Sequence, residues 1–301
     1  MSIPLSKLET WSNPGATTIS SASYNSIRTA LFKTGSPVDV PAEDVFLQGS
    51  YGNSTNIYGD SDVDVIVLYK KTFHKDMSAL SASDQLRHEA TFPPATYLWT
   101  NLRDDVLTAL RAHFGHSTVT LGKKSIKVKM GTGRMTADVV PVVEFRQYAT
   151  FVDRNTLTAH WGVAFNDNAG NQITNYPKNH IERGESKNSA ERTGGKYKKT
   201  IRIFKNFRNH MVDRGHIEDK NIAPSYFIEC LLHNVPDTLF LGDFSETVPT
   251  IIKHLLTTPY GGFMCQNGIT KLFGETTTQW QENNYVTFIT AAQKAWDEYY
   301  A

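Results

Sequence analysis

Apolar residues near the N-terminus follow a helical pattern. In residues 15–33, Ile19, Ile27 and Leu31 lie near the three- to four-residue spacing that places side chains on one face of a helix. Gly35 follows directly and can take the left-handed conformation that commonly ends a helix. We therefore predict an amphipathic helix before the first strand.

Two apolar runs flank a glycine-serine turn. Val45–Gln48 is a short predicted strand, and residues 63–69 form a second strand that is almost continuously apolar. Between them lie Gly49 and Ser50, and the polar run that follows can begin a short helix. The pattern predicts one continuous unit of strand, turn, short helix and acidic strand.

Three further patterns occur in this part of the chain. Residues 97–114 carry apolar side chains at helical steps, and these are Trp99, Leu102, Val106, Leu110 and Phe114. Residues 125–130 and 135–145 have a period of two, which predicts strands. Residues 161–176 are typical of a hairpin that turns at 166–171, where Asn, Asp and Gly tolerate positive φ angles.

A polar, glycine-containing segment separates two differently patterned parts. Because residues 180–195 lack a clear apolar period, we expect a hinge there. It would join a mixed α and β lobe, residues 1–180, to a helical lobe, residues 181–301, which would close over the ligands. We thus predict two domains.

The helical lobe should begin with a helix that runs to about Arg214 and ends at Gly215. A second helix is predicted over residues 225–234. The rest of the chain is expected to be helical apart from a loop around Gly261 and Gly262.

Composition narrows the function classes. The chain has 301 residues, 40% of them hydrophobic and 20% charged, which describes an ordinary globular protein long enough for two lobes. Its formal net charge of +1 argues against a general basic surface that coats nucleic acid. Any anion-binding site must therefore be local.

Cysteine content and hydropathy exclude other classes. Cys230 and Cys265 are the only cysteines, so they cannot build a disulfide framework or a cysteine zinc cluster, and we interpret both as reduced packing residues. No segment approaches the roughly 20 apolar residues that cross a bilayer. A cytoplasmic protein without a membrane partner is the simplest expectation.

Three aspartates carry the candidate chemistry. Asp62 and Asp64 are two residues apart, so on a strand both carboxylates project from one face. Adjacent carboxylates repel unless a cation lies between them, and hard oxygen ligands suit Mg²⁺ or Mn²⁺. Two-metal phosphoryl transfer needs a third ligand, and Asp138 is the best candidate because it interrupts an apolar strand. The alternative is an aspartate that caps a loop at a strand end.

The turn before the acidic pair complements it. Gly49 permits close approach of the backbone, and the Ser50 hydroxyl with neighbouring N–H groups can bind β and γ phosphates. A Gly-Ser pair alone would mean little. Together with the acidic pair it predicts a site for a metal and a nucleoside triphosphate.

These motifs resemble the polymerase-β-like nucleotidyltransferases, and the resemblance extends along most of the chain. The matching blocks are QGSYGNSTNIYGDSDVDV (48–65), TADVV (136–140), NYPKNH (175–180), YKKTIRIFKN (197–206), PSYFIECLLHNVP (224–236), and CQNG with LFGE (265–275). The chain is most similar to bacterial CD-NTases, relatives of cyclic GMP-AMP synthase and oligoadenylate synthase that make cyclic oligonucleotide signals in anti-phage defence (CBASS). The combination resembles clade E, whose members tend to select pyrimidine nucleotides. The resemblance implies an α+β, bilobed fold with a mixed β-sheet in the N-terminal lobe.

The resemblance also implies a role for individual residues. Those expected to hold the metals and carry catalysis are Asp62, Asp64 and Asp138. Those expected to contact the nucleotide phosphates are Gln48, Gly49, Ser50, Lys205 and Ser225. Those expected to recognise a base are Tyr226, by stacking, and Asn175, by hydrogen bonds.

Local patterns support some of these roles and leave alternatives open. A basic stripe along one helix is predicted from residues that recur every three positions, Lys199, Arg202, Lys205 and Arg208. For Lys199 and Arg208 the alternative is a solvated face. Tyr226 could instead be a core residue.

Asn175 is the predicted specificity residue. Its amide can donate to uracil O4 and accept from N3–H, a match of roughly 1–3 kcal/mol by analogy with base-edge contacts in duplexes. A flipped amide suits cytosine, so neighbouring groups must fix its orientation. The alternative is a turn-forming asparagine before Tyr176-Pro177.

The predicted function is a cyclic dinucleotide synthase that joins UTP to UTP or ATP and releases pyrophosphate. We expect a monomer. We also expect no nucleic-acid activator, because nothing resembles the zinc-binding insertion with which the animal relative senses DNA: His113 and His116 have no nearby cysteines and are interpreted as surface residues. An effector receptor would bind the product. Two alternatives are a nucleotidyltransferase that modifies RNA or a protein, and a non-catalytic nucleotide sensor.

Overall fold

The computed structural model describes residues 3–15, 17–59, 62–129, 131–276 and 278–299. The α-helices of the described residues are α1 Leu5–Ser12, α2 Thr17–Leu31, α3 Gly49–Gly52, α4 Ala82–Thr91, α5 Trp99–Phe114, α6 Pro177–Lys187, α7 Ala190–Thr193, α8 Tyr197–Asp213, α9 Ser225–His233, α10 Phe244–Thr257 and α11 Glu282–Asp297. The strands are β1 Val45–Gln48, β2 Asp62–Asp76, β3 Val119–Leu121, β4 Ile126–Val128, β5 Thr136–Phe151, β6 Leu157–Asn166 and β7 Gln172–Asn175.

The chain divides into two compact units. The sheet unit contains Thr17–Gly52 and Ser61–Pro177, and the helical unit contains Met1–Ala16, Asn53–Asp60 and Lys178–Ala301. The sequence-based division assigned all of the first 180 residues to the sheet lobe, whereas two of its segments and its last three residues lie in the helical unit. The first does so because α1 buries apolar side chains in the core of that unit.

The sheet is mixed, as predicted for an α+β protein. Its strands run in the order β1-β2-β5-β4-β3, and β6 pairs with the second part of β5 and with β7. The long central strands β2 and β5 are parallel, whereas the other pairs are antiparallel. The predicted hairpin over residues 161–176 is confirmed as β6 and β7.

The two faces of the sheet have different partners. On one face, the odd-numbered residues from Val63 to Val67 are fully buried with α2 and α5, including Leu102 and Val106. Alternation along a strand sends Asp62, and every second residue after it, to the other face. There, a smaller apolar cluster begins two positions beyond the aspartates. The strand pattern thus brings charged side chains to the end of one sheet face.

The helical unit is built around α8, whose apolar residues Ile201, Phe204, Phe207 and Met211 are fully buried. Gly215 ends the helix with a φ of 73°, donating from its N–H to Val212 O while the next residue donates to Met211 O. This Schellman arrangement confirms the predicted helix end.

Two sequence predictions about this unit are wrong. The polar segment 180–195 is mostly helical, forming α6 and α7, because its polar side chains are bonded internally. Lys187, for example, is buried and donates to Val235 O at 2.7 Å and to Asp237 Oδ1 at 2.8 Å. Residues 258–281 contain no α-helix in their described part, so the predicted loop is much longer than expected.

Two smaller expectations agree with the structure. Cys230 and Cys265 are buried and free, and His113 and His116 are exposed. No helix among the described residues has the length and hydropathy needed to cross a membrane.

Candidate active site

A row of polar residues crosses four strands of the sheet unit. In the parallel β2 and β5 pair, Asp64 lies directly opposite Asp138. On either side of this pair, Gln48 of β1 is opposite Asp64, and Lys127 of β4 is opposite Asp138. Because directly opposed residues project to the same face, the four side chains form a continuous row, with Asp62 beside it on β2. The prediction that the third aspartate lies on a neighbouring strand agrees with this register.

Polar contacts hold the carboxylates of Asp62 and Asp138. Lys127 Nζ donates to Asp62 Oδ2 at 3.1 Å, and Ser125 Oγ donates to Asp138 Oδ1 at 2.8 Å. The hydrogen bond to Asp62 and the negative charges of Asp138 and Asp62 raise the pKa of Lys127. Both side chains of the ion pair are more than a third exposed, so water screens the pair and its contribution to stability is small. The ammonium group therefore marks a position that attracts a cation.

The backbone of Gly49 closes the other side of the row. Gly49 has a φ of 63°, and a Cβ atom placed on it would overlap Asp64 Oδ2 and lie 3.2 Å from Asp64 Cγ. Only glycine fits this approach without displacing the carboxylate. Ser50 follows as the second residue of the four-residue helix α3.

Gln48 supplies an unsatisfied acceptor. Its Oε1 is buried and has no hydrogen-bond partner within the described part of the chain. A buried acceptor without a donor is unfavourable, so this atom is suited to a hydroxyl, a water molecule or a cation.

The donor set fits a hard divalent cation. Three carboxylates on neighbouring positions and the unsatisfied Gln48 Oε1 provide oxygen ligands and negative potential, and the Lys127 ammonium already lies beside Asp62 as a cation. In the described residues no three acidic, histidine or cysteine side chains are already arranged around a common metal position. Two of the three carboxylates are instead hydrogen-bonded to Lys127 and Ser125.

Asn175 ends β7 in the sheet unit. Its Oδ1 accepts from the Tyr176 N–H at 2.9 Å, and the described residues give its Nδ2 no partner. Since a backbone N–H can only donate, this contact fixes the amide with its oxygen toward Tyr176. Tyr176 itself is buried, and its hydroxyl donates to Gln147 Oε1 at 3.2 Å. The amide orientation that the sequence left open is therefore set by the backbone.

The predicted basic stripe on α8 is wrong as a surface feature. Lys199 is exposed, but Arg202, Lys205 and Arg208 are buried. Their partners include main-chain carbonyl oxygens, which sequence patterns do not reveal. Arg202 donates to Ser12 O at 2.5 Å, and Lys205 Nζ donates to the carbonyl oxygen of residue 55 at 2.9 Å.

Ser225 and Tyr226 begin α9. The Ser225 hydroxyl accepts from Arg208 Nη1 at 3.3 Å, which leaves its proton to donate. Tyr226 is partly buried, and burial raises the pKa of its hydroxyl far above the ordinary value. Its ring stacks on His180 with centroids 5.3 Å apart and planes inclined by 23°.

Comparison with known proteins identifies the family. Residues 182–297 match the model of the cGAS/DncV-like nucleotidyltransferase C-terminal helical domain. The chain is 38% identical over 296 residues to cyclic UMP-AMP synthase of Rhodothermus marinus, covering 98% of both chains. The chain belongs to the cGAS/DncV-like nucleotidyltransferases.

Two other comparisons place it near the CdnE members of this nucleotidyltransferase family. Cyclic dipyrimidine nucleotide synthase CdnE of Legionella pneumophila is 31% identical, over 96% of this chain and 90% of that one. The structure of Rhodothermus marinus CdnE c-UMP-AMP synthase with Apcpp and Upnpp superposes with a TM-score of 0.89 and covers 99% of this chain and 98% of that chain. The family assignment and the fold class predicted from sequence are confirmed.

Sequence reasoning missed three polar residues that this nucleotidyltransferase places at its candidate sites. Lys127 and Ser125 lie on or next to β4, and the alternation of lysine with apolar residues there was the available signal. Glu229 gave no signal, because it lies within an apolar helix sequence and its partners are distant along the chain.

Proposed function

We propose that this nucleotidyltransferase is a cyclic dinucleotide synthase that joins UTP to a second nucleotide, UTP or ATP. Forming the first phosphodiester bond releases one pyrophosphate, and closing the ring releases another. The observation that carries the proposal is the row of Asp64 and Asp138 in register with Gly49 packed against it, in a chain whose relatives are cyclic nucleotide synthases.

Asp62, Asp64 and Asp138 would hold Mg²⁺ or Mn²⁺. When bound, such metals lower the pKa of the attacking hydroxyl and stabilise charge on the phosphates. Lys127 would then be released from Asp62, and its ammonium would remain near the row to neutralise phosphate oxygens. Gly49 would keep the Asp64 carboxylate in place.

Other residues would bind and orient the nucleotide. In the sheet unit, Gln48 and Ser50 would contact phosphates or ribose with an acceptor and a hydroxyl. In the helical unit, Ser225 would donate to a phosphate and Tyr226 would stack on a base. Lys205 would have to leave the main-chain carbonyl to which it now donates before it could reach a phosphate.

Asn175 would select uracil. With its oxygen bonded to the Tyr176 N–H, its Nδ2 faces outward as a donor. Uracil presents an acceptor at O4, whereas cytosine presents an amino donor there, so the fixed orientation favours uracil. The second lone pair of Oδ1 can still accept from N3–H. Asn175 would thus be the residue through which this chain selects the uridine nucleotide that is named in its relative, cyclic UMP-AMP synthase.

The remaining expectations concern partners. We propose a monomer that is active without nucleic acid, in the cytoplasm where nucleoside triphosphates are available. Its product would be bound by an effector in anti-phage defence, as the family resemblance implies.

The test incubates purified protein with Mg²⁺ or Mn²⁺ and four labelled nucleoside triphosphates. We expect a phosphatase-resistant cyclic product that contains uridine, and none from Asp62→Asn combined with Asp64→Asn. Asn175→Ser should lower the preference for UTP in competition and raise purine use. Products that appear only when RNA or an acceptor protein is added would instead support the alternative transferase function.

A further inference from the structure

A buried carboxylate lies at the centre of a polar network in the helical unit. Glu229 of α9 is 2% exposed and accepts from Asn53 Nδ2 at 2.8 Å and from Thr55 Oγ1 at 2.6 Å. His180 Nε2 lies 3.0 Å from its Oε2. Burial alone would raise the pKa of Glu229, but the hydrogen bond and charge of His180, together with the charge of Lys205, outweigh this effect and leave the pKa below its ordinary value. The carboxylate is therefore ionised and fixed.

The imidazole of His180 is held on both sides. Glu229 bonds one ring nitrogen, and the ring face stacks on Tyr226. The main-chain oxygen of His180 accepts from Gln266 Nε2 at 2.6 Å, and Gln266 Oε1 in turn accepts from the Tyr197 hydroxyl. A ring anchored in this way cannot rotate away from Tyr226 without breaking the bond to Glu229.

The same carboxylate also orients the segment that holds Lys205. Thr55 donates its hydroxyl proton to Glu229, and its carbonyl oxygen accepts from Lys205 Nζ. One buried carboxylate thus connects two of the three residues of the helical unit that were expected to bind nucleotide, Lys205 and Tyr226.

We infer that Glu229 and His180 are positioning residues for nucleotide binding. His180 supports one face of the Tyr226 ring, so that a base would stack on the opposite face, while Glu229 fixes both His180 and the carbonyl group that holds Lys205. This inference rests on the proposed function, in which Tyr226 stacks on a base.

The test separates binding of the base from binding of the phosphates. Affinities for a non-hydrolysable UTP analogue and for inorganic triphosphate are measured by calorimetry with Mg²⁺ for wild type and His180→Gln. Glutamine keeps a donor for Glu229 but removes the stacked ring. Since aromatic pairs contribute modestly, we expect UTP analogue affinity to fall about tenfold while triphosphate affinity changes less than about twofold.

Two further variants complete the design. His180→Phe keeps an aromatic ring beside Tyr226 but loses the donor to Glu229, so its UTP analogue affinity should lie between those of wild type and His180→Gln. His210→Gln is the matched control, because it removes a half-buried histidine ring that packs on Trp11 and Tyr299, and it should leave both affinities unchanged.

The outcomes distinguish the inference from the proposed function. If His180→Gln weakens both ligands equally, or neither, the positioning role is overturned. In the Tyr226→Ala background, His180→Gln should have no further effect, and an undiminished effect would also overturn it. If Tyr226→Ala itself leaves UTP analogue affinity unchanged, the proposed stacking of a base fails. Absence of any cyclic product from the wild-type enzyme would count against the proposed function alone.

Discussion

Replacing Gly49 by alanine tests whether backbone approach to Asp64 maintains the carboxylate row. The residue has a φ of 63°, and an L-residue in this left-handed region costs about 1–2 kcal/mol. The added methyl group would also overlap Asp64 Oδ2. Restoring an ordinary carbon–oxygen contact moves that oxygen by about 1 Å.

The two effects have different consequences. Backbone strain lowers the free energy of unfolding, whereas displacement of a metal ligand lowers turnover. A misplacement of about 1 Å at a reacting centre can reduce the rate about 100-fold. Gly49→Ala should therefore lose about two orders of magnitude in pyrophosphate release and about 1–2 kcal/mol of stability.

Gly35→Ala is the matched control. Gly35 has a φ of 82°, and a Cβ atom on it would meet nothing within 4 Å. It should lose a similar amount of stability in denaturant titrations but keep wild-type turnover. If Gly49→Ala kept turnover within about threefold of Gly35→Ala at saturating metal and nucleotide, the argument that Gly49 positions Asp64 would be refuted.

Three further predictions concern charge, packing and pH. Lys127→Met should strengthen Mn²⁺ binding in nucleotide-free calorimetry by about two- to fivefold, because no ammonium competes for Asp62, and weaker binding would contradict this. Gly162→Ala should destabilise the protein by about 1–3 kcal/mol in urea titrations, since a Cβ there would lie 2.6 Å from Asn175 O, and unchanged stability would count against this packing. Burial, followed by nearby positive charges, lowers the pKa of His233 to about 3, so the unfolded chain takes up a proton below pH 6.5 that the folded protein does not. The titration of His233 should lower stability by about 1.4 kcal/mol per pH unit as the pH falls from 6.5 to about 3, so the decline should be less steep in His233→Gln, and equal slopes in the two proteins would argue against it.

Local patterns predicted much of the sheet unit, although neither α4 nor β3 was predicted. Period-two alternation around Asp62 and Asp138, with the Gly49-Ser50 turn, predicted both the strands and the face that carries the carboxylates. The hairpin that ends at Asn175 was equally visible, because the Asn, Asp and Gly residues of its turn have specific backbone requirements. Each of these signals comes from residues that are close together in the sequence.

Long-range polar partners could not be predicted. Arg202 was assigned to a basic surface stripe and Lys187 lay in the predicted polar hinge, but carbonyl oxygens distant in sequence bond both side chains inside the fold. For the same reason the polar segment before α8 was interpreted as a hinge although it is helical. The pairing of Glu229 with Asn53 joins residues 176 positions apart, and no local period reports it. Buried polar groups are hydrogen-bonded, but a sequence does not show to what.

Identification of the product by mass spectrometry is the most direct test of the proposed function. Wild-type protein is incubated with Mg²⁺ or Mn²⁺ and an equal mixture of the four nucleoside triphosphates. A cyclic dinucleotide containing uridine, paired with uridine or adenosine, is the predicted product. A product containing only purine nucleotides would contradict uracil selection by Asn175, and the absence of any phosphodiester product would contradict the assignment of Asp62, Asp64 and Asp138 to nucleotidyl transfer.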